Sequence, residues 1–259
     1  MDLHMICKIL QGDCVDVMRE LEGDIVDLTI TSPPYDSLRD YGSDWDLDID
    51  GIVSQLYRIT KPGGVVVWVV GDGTHKGSET GTSFKQALKF IDAGFNLHDT
   101  MIYQKNNFSN PSSNRYHQIF EYMFVFSKGK PKTFNPLMDR ENITAGEIGS
   151  WGKNTSRQKD GSMKERKRKI VQPFGMRWNI WKYKTSKNGQ EDSIAYKHPA
   201  IFPIGLVIDH ILSWSNEGDL IFDPFMGSGT TAVGSIKTGR KWLGIEINPE
   251  YIEIIKHRI

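Results

Sequence analysis

The chain has 259 residues with no net charge, 38% apolar and 25% charged side chains, an ordinary soluble composition with room for one full-sized α/β domain and a smaller lobe. No run of about 18 apolar residues occurs and the amino end, with Asp2 and His4, does not read as a signal peptide, so a cytoplasmic protein with no membrane partner is expected. Cys7 and Cys14 are too close in sequence to staple a fold and lack metal-ligand spacing, so reduced thiols and no metal are expected.

Met5 to Leu10 reads as a short buried strand and Gln11-Gly12-Asp13-Cys14 as the turn that leaves it; Val15, Val17, Met18 and Leu21 then give a short helix ending near Gly23. The apolar run Ile25 to Ile30 is the next strand, and it ends in Thr31-Ser32-Pro33-Pro34-Tyr35. Two consecutive prolines remove two backbone donors and fix φ, so the strand stops there and holds a rigid loop at its carboxyl end. That is the edge at which open α/β sheets bind ligands. Ser32 offers a hydroxyl, Pro33 a carbonyl and Tyr35 an aromatic face, together able to grip a flat ring carrying an amino group. The same residues also describe a proline turn with a packing tyrosine.

Asp36 to Asp50 is polar and reads as a loop able to fold over a ligand. Ile52, Val53, Leu56, Tyr57 and Ile59 restore a helix that Lys61-Pro62-Gly63-Gly64 stops, and Val65 to Val70 is a continuous apolar strand of the kind found in parallel sheets covered on both faces. A polar loop from Gly71 to Thr82 precedes a helix carrying Phe84, Ala87, Leu88 and Ile91, closed at Gly94. Thr100 to Gln104 and Glu121 to Ser127 read as strands. Asn106 to Arg115 between them suits a lid or contact loop.

From Lys128 to Gly189 regular patterning fades, and 16 Lys and Arg stand against 5 Asp and Glu, leaving 16 against 27 in the rest of the chain. Lys164, Arg166, Lys167, Arg168 and Lys169 are the densest run, while Arg177, Trp178 and Trp181 interleave cation with aromatic. A charge run is often only a solvated face. Here the lobe-wide imbalance and the interleaved rings point to a polyanion, held by backbone neutralisation and stacking.

His198-Pro199-Ala200 opens an apolar stretch that reads as a buried helix after Pro203, followed by the strand Leu220-Ile221-Phe222 and the turn Asp223-Pro224-Phe225-Met226-Gly227-Ser228-Gly229. A helix from about Thr230 to Thr238, a strand from Trp242 to Ile247 and a helix from Pro249 to Arg258 complete the pattern. Gly227 and Gly229 let backbone amides approach a ligand, and the start of the next helix favours an anion. Glu246 at the following strand end can take both hydroxyls of a ribose. The spacing matches neither G-x-G-x-x-G nor G-x-x-x-x-G-K-[ST], so neither a dinucleotide nor ATP is the expected ligand. Asp13 could accept an adenine amino group beside the Cys14 backbone, or simply cap a helix.

Ser32-Pro33-Pro34-Tyr35 together with Asp223-Pro224-Phe225-Met226-Gly227-Ser228-Gly229-Thr230-Thr231 resembles the S-adenosylmethionine-dependent DNA amino-methyltransferases, in the class β order with the catalytic loop first. Gly12-Asp13-Cys14, Gly244-Ile245-Glu246 and His198-Pro199-Ala200 match in the same order, so the resemblance covers nearly the whole chain. It implies an α/β, Rossmann-like methyltransferase fold with a mixed seven-stranded sheet, circularly permuted. Residues 1–127 and 192–259 would form the catalytic and cofactor domain, and 128–191 an inserted target-recognition region.

By the resemblance, Ser32, Pro33, Pro34 and Tyr35 are catalytic, with Tyr35 stacking on a flipped base and Ser32 and the Pro33 carbonyl accepting from its amino group. Asp13, Cys14, Thr31, His198, Pro199, Asp223, Pro224, Phe225, Gly227, Ser228, Gly229, Thr230 and Glu246 surround S-adenosylmethionine; for His198, a core or capping role is the alternative. Lys164, Arg166, Lys167, Arg168, Lys169, Arg177, Trp178 and Trp181 meet double-stranded DNA. A homodimer and a cognate restriction endonuclease are the further candidate partners. Neither cysteine follows a proline in the catalytic loop, which argues against methylation at cytosine carbon 5. Members with serine at the position of Ser32 commonly act on cytosine N4 and those with aspartate or asparagine on adenine N6; serine here favours cytosine.

Overall fold

The computed structural model describes residues 7–34, 47–108, 111, 113–149, 155–165, 169–184 and 203–259. The expectations for Tyr35, Arg166, Lys167, Arg168, His198 and Pro199 lie outside these. In chain order the elements are β1 (Lys8–Gln11), α1 (Cys14–Glu20), β2 (Val26–Thr31), α2 (Ile49–Ile59), β3 (Thr60–Val70), β4 (Thr74–His75), β5 (Ser78–Glu79), α3 (Thr82–Asp92), β6 (Asn96–Lys105) and β7 (Phe120–Ser127). They continue with β8 (Arg140–Glu141), β9 (Thr155–Arg157), β10 (Met163–Glu165), β11 (Phe174–Gly175), β12 (Ile180–Tyr183), α4 (Ile204–Trp214), β13 (Leu220–Asp223), α5 (Thr230–Lys237), β14 (Lys241–Glu246) and α6 (Pro249–Lys256).

The chain divides into two compact units, Met1–Asn135 with Asn179–Ile259, and Pro136–Trp178. The second lies inside the 128–191 that the resemblance implies for the inserted recognition region. In the first, eight strands form one sheet in the order β1-β14-β13-β2-β3-β7-β6-β12. The first five of these run parallel, β7 is antiparallel to both β3 and β6, and β12 is parallel to β6. The strand at the start of the chain therefore sits beside the strand near its end, which is the permuted order.

The eighth strand departs from the expected seven. Ile180 to Tyr183 falls in the stretch expected to form the basic lobe, but its backbone pairs with Ile102 to Lys105 and extends the sheet. Long-range pairing decided this, not local pattern. The polar stretch after β3 likewise differs from the expected loop by containing the small β4–β5 hairpin.

Helix ends follow their side chains. Asp13 caps α1 by accepting from Val15 N (2.8 Å) and Asp16 N (3.2 Å). Asp48 does the same for α2 through Gly51 N (2.9 Å), and Asn248 for α6 through Glu250 N (2.8 Å) with Pro249 in the first turn. On one face of the sheet, Ile52, Val53, Leu56 and Ile59 of α2 and Ala87 and Phe90 of α3 bury their apolar stripe against Val66, Trp68, Phe124 and Phe126. Phe90 stacks on Phe126 with ring centroids 4.2 Å apart, and the buried Trp68 indole donates to Gln86 Oε1 at 2.8 Å. Among the described residues no helix is long and apolar enough to cross a membrane.

Phe90 is wholly buried between Trp68, Phe95 and Phe126. Phe90→Ala should therefore cost about 3–5 kcal/mol of folding stability, read from urea denaturation.

Candidate functional site

The four strands β1, β14, β13 and β2 are neighbours and parallel, so the loops leaving their carboxyl ends meet along one edge of the sheet. These loops carry Gly12-Asp13, Glu246, Asp223 to Gly229, and Thr31 to Pro34. The register is tight: Gln11 lies opposite Glu246, Asp223 opposite Gly244, and Gly12 N donates to the Glu246 carbonyl at 3.2 Å. Residues from both ends of the chain are brought together here.

Asp223 is the junction of the edge. It is 1% exposed. Its Oδ1 accepts from Thr31 Oγ1 (2.7 Å) and Phe225 N (3.0 Å), and its Oδ2 from Thr231 Oγ1 (2.7 Å). One carboxyl group thus joins the strand that feeds Ser32-Pro33-Pro34, its own turn, and the first turn of α5. Burial raises its pKa to about 6, against the downward pull of Thr31, Thr231 and Phe225 N, with the Glu246 charge adding a further upward push.

Glu246 organises the second half. Oε2 accepts from Gly227 N (2.7 Å) and Oε1 from Asn248 N (2.9 Å). A carboxylate oxygen has capacity for a second donor, so the group can hold the turn and still accept from a ligand diol. It is 8% exposed, and burial pushes its pKa up while the backbone donors of Asn248, Gly227 and Ile247 pull it down.

The turn between them is built on glycine. Gly227 has φ +52 and Gly229, at the start of α5, φ +83, a left-handed region costly to any residue with a Cβ. A Cβ on Gly229 would also come within 3.0 Å of Ile255. Gly229 N bonds the Met226 carbonyl at 2.8 Å, and Met226 N the Ile245 carbonyl at 2.8 Å. Arg258, from beyond α6, donates to the Ser228 carbonyl. Phe225 is half-buried and meets the Trp68 ring edge-on at 6.3 Å.

Of the other expected residues, Pro33 is buried, Ser32 and Pro34 partly so, and Ser228 and Thr230 are buried in the turn with their hydroxyls 3.4 Å apart. Pro224 is buried beside Asp223. Asp13 stands at the same edge and does cap α1. Cys14 is buried, and burial above all, then the Asp13 charge, pushes its thiol up to about 12. It is no thiolate at neutral pH, so nucleophilic chemistry through it is closed. Among the described residues no three His, Cys, Asp or Glu side chains gather as a metal site.

The basic-lobe residues divide. Lys164, Lys169 and Trp178 are exposed, Trp178 by 70% with the Arg140 guanidinium 5.3 Å over its ring. Arg177 is turned to Asp139, Nε lying 3.1 and 3.0 Å from its two oxygens, and this pairing lowers the Asp139 pKa. Trp181 corrects the expectation of a DNA-stacking ring: it is 6% exposed on β12 and packs on His210 of α4 at 4.5 Å. Burial by the sheet removes that face from any outside partner.

Two residues of the edge escaped sequence reasoning. Thr231 lay within the turn motif, but nothing local marks its hydroxyl as a partner of Asp223. Arg258 had no sequence signal at all, since its contact with Ser228 exists only once the last helix docks.

Asp223→Ala should cost about 2–4 kcal/mol, because two hydroxyls and an N–H lose their acceptor, whereas Asp223→Asn, with one threonine hydroxyl turned round to accept, should cost about 1 kcal/mol. The raised pKa gives a second readout. The folded state holds this proton more tightly than the unfolded chain, so the group's contribution to stability falls as pH rises from about 4 through about 6. Asp223→Asn should lack that fall in a stability-against-pH series.

A family model described as DNA methylase matches residues 26–257. The chain is 54% identical over 254 residues to the orphan methyltransferase M.BamHII of Bacillus amyloliquefaciens, across 93% of this chain and 92% of that protein. It is 26% identical over 295 residues to the type II methyltransferase M.SmaI of Serratia marcescens, across 98% and 90%. Among solved structures it resembles the PvuII DNA methyltransferase (cytosine-N4-specific) in fold, with a TM-score of 0.70 and 20% identity across 97% of this chain and 86% of that one.

Proposed function

Since this chain belongs to the N6/N4 DNA methylase family, a group of DNA amino-methyltransferases, we propose that it methylates cytosine N4 in double-stranded DNA, using Ser32 and the Pro33 carbonyl to hold the target amino group. The observation that carries this reading is the common edge where Thr31 to Pro34 and Asp223 to Gly229 are tied through one buried carboxyl. A base within a duplex cannot reach such an edge, so it is flipped out. Ser32 and Pro33 then accept hydrogen bonds from the amino group, which draws the nitrogen lone pair out of conjugation and aims it. Tyr35 stacks on the ring. Rate enhancement comes from positioning and the exclusion of water.

S-adenosylmethionine is the methyl donor, and when bound it supplies an electrophilic sulfonium methyl group. The residues present fit it. Glu246 keeps acceptor capacity on both oxygens for the ribose hydroxyls, the left-handed glycines leave the turn free of Cβ atoms, and the amino end of α5 favours the methionine carboxylate. Asp13 lies at the same edge to accept from the adenine, and Phe225 and Ser228 flank the turn. The basic unit carries the DNA contacts, with Lys164 and Lys169 on phosphates and Trp178 for stacking. The name orphan borne by the 54% identical relative supports a solitary enzyme over one paired with an endonuclease.

Serine is a neutral acceptor where a carboxylate would grip more strongly, and this supports cytosine over adenine. Mass spectrometry of nucleosides from DNA treated with the enzyme should show N4-methylcytosine; N6-methyladenine alone would overturn the choice. Cofactor binding should also carry the signature of Glu246. Its carboxylate form accepts from the ribose, so affinity in calorimetry should fall as pH drops through its raised pKa. Glu246→Gln should bind at least ten-fold more weakly and lose most of that pH dependence.

A further inference from the structure

Backbone pairing in Pro136–Trp178 forms a single nested series. Arg177 N bonds the Leu137 carbonyl (2.9 Å), Asn142 N that of Pro173 (2.9 Å), Gly149 N that of Lys169 (3.1 Å), and Gln158 N that of Ser162 (2.7 Å). The short ladders β8·β11 and β9·β10 and the Ile148–Ile170 bridge fall on the same series. The described pairs of this unit are therefore those of an antiparallel ribbon, with its base at Leu137–Arg177, a turn within Asn142–Glu147 and its tip at Gln158–Ser162. Val171 faces both Gly146 and Glu147, its carbonyl accepting from Gly146 N (3.0 Å) and its N–H donating to the Glu147 carbonyl (2.9 Å). With Gly146 at φ +85 this is a glycine bulge, which increases the right-handed twist of the ribbon.

The ribbon has no core of its own. None of its described residues is buried, and Ile143, Ile148, Ile170, Phe174 and Trp178 are all exposed. An isolated two-stranded hairpin is marginal in water, so this one needs an outside surface. Its described cations fall in two sets. At the base they are tied within the ribbon, Arg177 to Asp139 and Arg140 to the Met176 carbonyl (3.0 Å) and the Trp178 ring. Toward the tip, Arg157, Lys159, Lys164 and Lys169 are exposed and make no ion pair among the described residues. The ribbon holds ten Lys and Arg against five Asp and Glu.

We propose that this hairpin lies in the major groove of the DNA substrate, with Arg157 reading a guanine edge and Lys159, Lys164 and Lys169 seated on phosphates. The inference rests on the DNA methylase reading above. A two-stranded ribbon matches the width of that groove, arginine presents two parallel donors to guanine O6 and N7, and exposed apolar side chains meet thymine methyl groups. Among the described arginines of this unit, Arg157, one residue from the tip turn, is the one with no partner inside the ribbon, Arg140 and Arg177 being tied at the base. Lysine charge at the flanks sets affinity without choosing sequence.

The test uses full-length protein acting on bacterial chromosomal DNA, with modified bases mapped by single-molecule sequencing and S-adenosylmethionine binding measured alongside. Arg157→Ala should keep wild-type cofactor affinity but lose at least about ten-fold discrimination at one position of the recognised sequence. The pair Lys164→Ala with Lys169→Ala should keep the sequence, bind DNA more weakly, and reduce the slope of log affinity against log salt by roughly 1.8. Arg157→Ala methylating the wild-type sequence with undiminished discrimination would overturn the proposal, as would an unchanged salt slope in the lysine variant. Wild-type protein that leaves DNA unmethylated would instead sink the methylase reading, and this inference with it.

Discussion

The active edge depends on a carboxyl group that has almost no access to water. Asp223 would be costly to bury alone, and three donors offset that cost: the hydroxyls of Thr31 and Thr231 and the N–H of Phe225. Because these donors come from β2, from the turn and from α5, satisfying the buried group also fixes three pieces of chain against one another. The loop proposed to grip the base and the loop proposed to hold the methyl donor are thereby set in one frame. For a transfer that relies on alignment, displacement by about 1 Å is enough to cost orders of magnitude in rate, so a rigid frame is itself a catalytic device.

Glu246 extends the frame outward. It secures Gly227 and Asn248 with one bond to each oxygen and keeps acceptor capacity beyond them. Both acids have raised pKa values, chiefly through burial, which places the edge in a low-dielectric setting where hydrogen bonds to the substrate count for more. The hairpin Pro136–Trp178 is built on the opposite plan. No residue of it with a described burial is buried, its backbone is paired across the ribbon, and its described tip cations are exposed. One unit holds its polar groups in a buried frame while the other presents them at its surface.

Much of this was legible from the chain alone, for identifiable reasons. The strand–turn–helix of Leu220 to Lys237 is a local structure, written in apolar runs broken by Gly227 and Gly229, and Pro33-Pro34 can only end a strand. The family motifs then ordered the two loops at one edge. What stayed hidden was non-local. Ile180 to Tyr183 sits among lysines and aromatics that look like a surface, and only pairing with β6 makes it a strand and buries Trp181. Arg177 read as a free cation until folding placed Asp139 beside it. Thr231 and Arg258 acquired roles through contacts with no signature in sequence spacing.

Through Asp223, β2 and α5 form one mechanical unit. A double-mutant cycle tests it, with Thr31→Val and Thr231→Val made singly and together and the S-adenosylmethionine dissociation constant measured for each. Both threonines act through one carboxyl group, so either change is expected to weaken cofactor binding and the two to be coupled by about 0.5 kcal/mol or more. Effects that add to within about 0.3 kcal/mol, or a Thr31→Val protein that binds the cofactor like wild type, would contradict it.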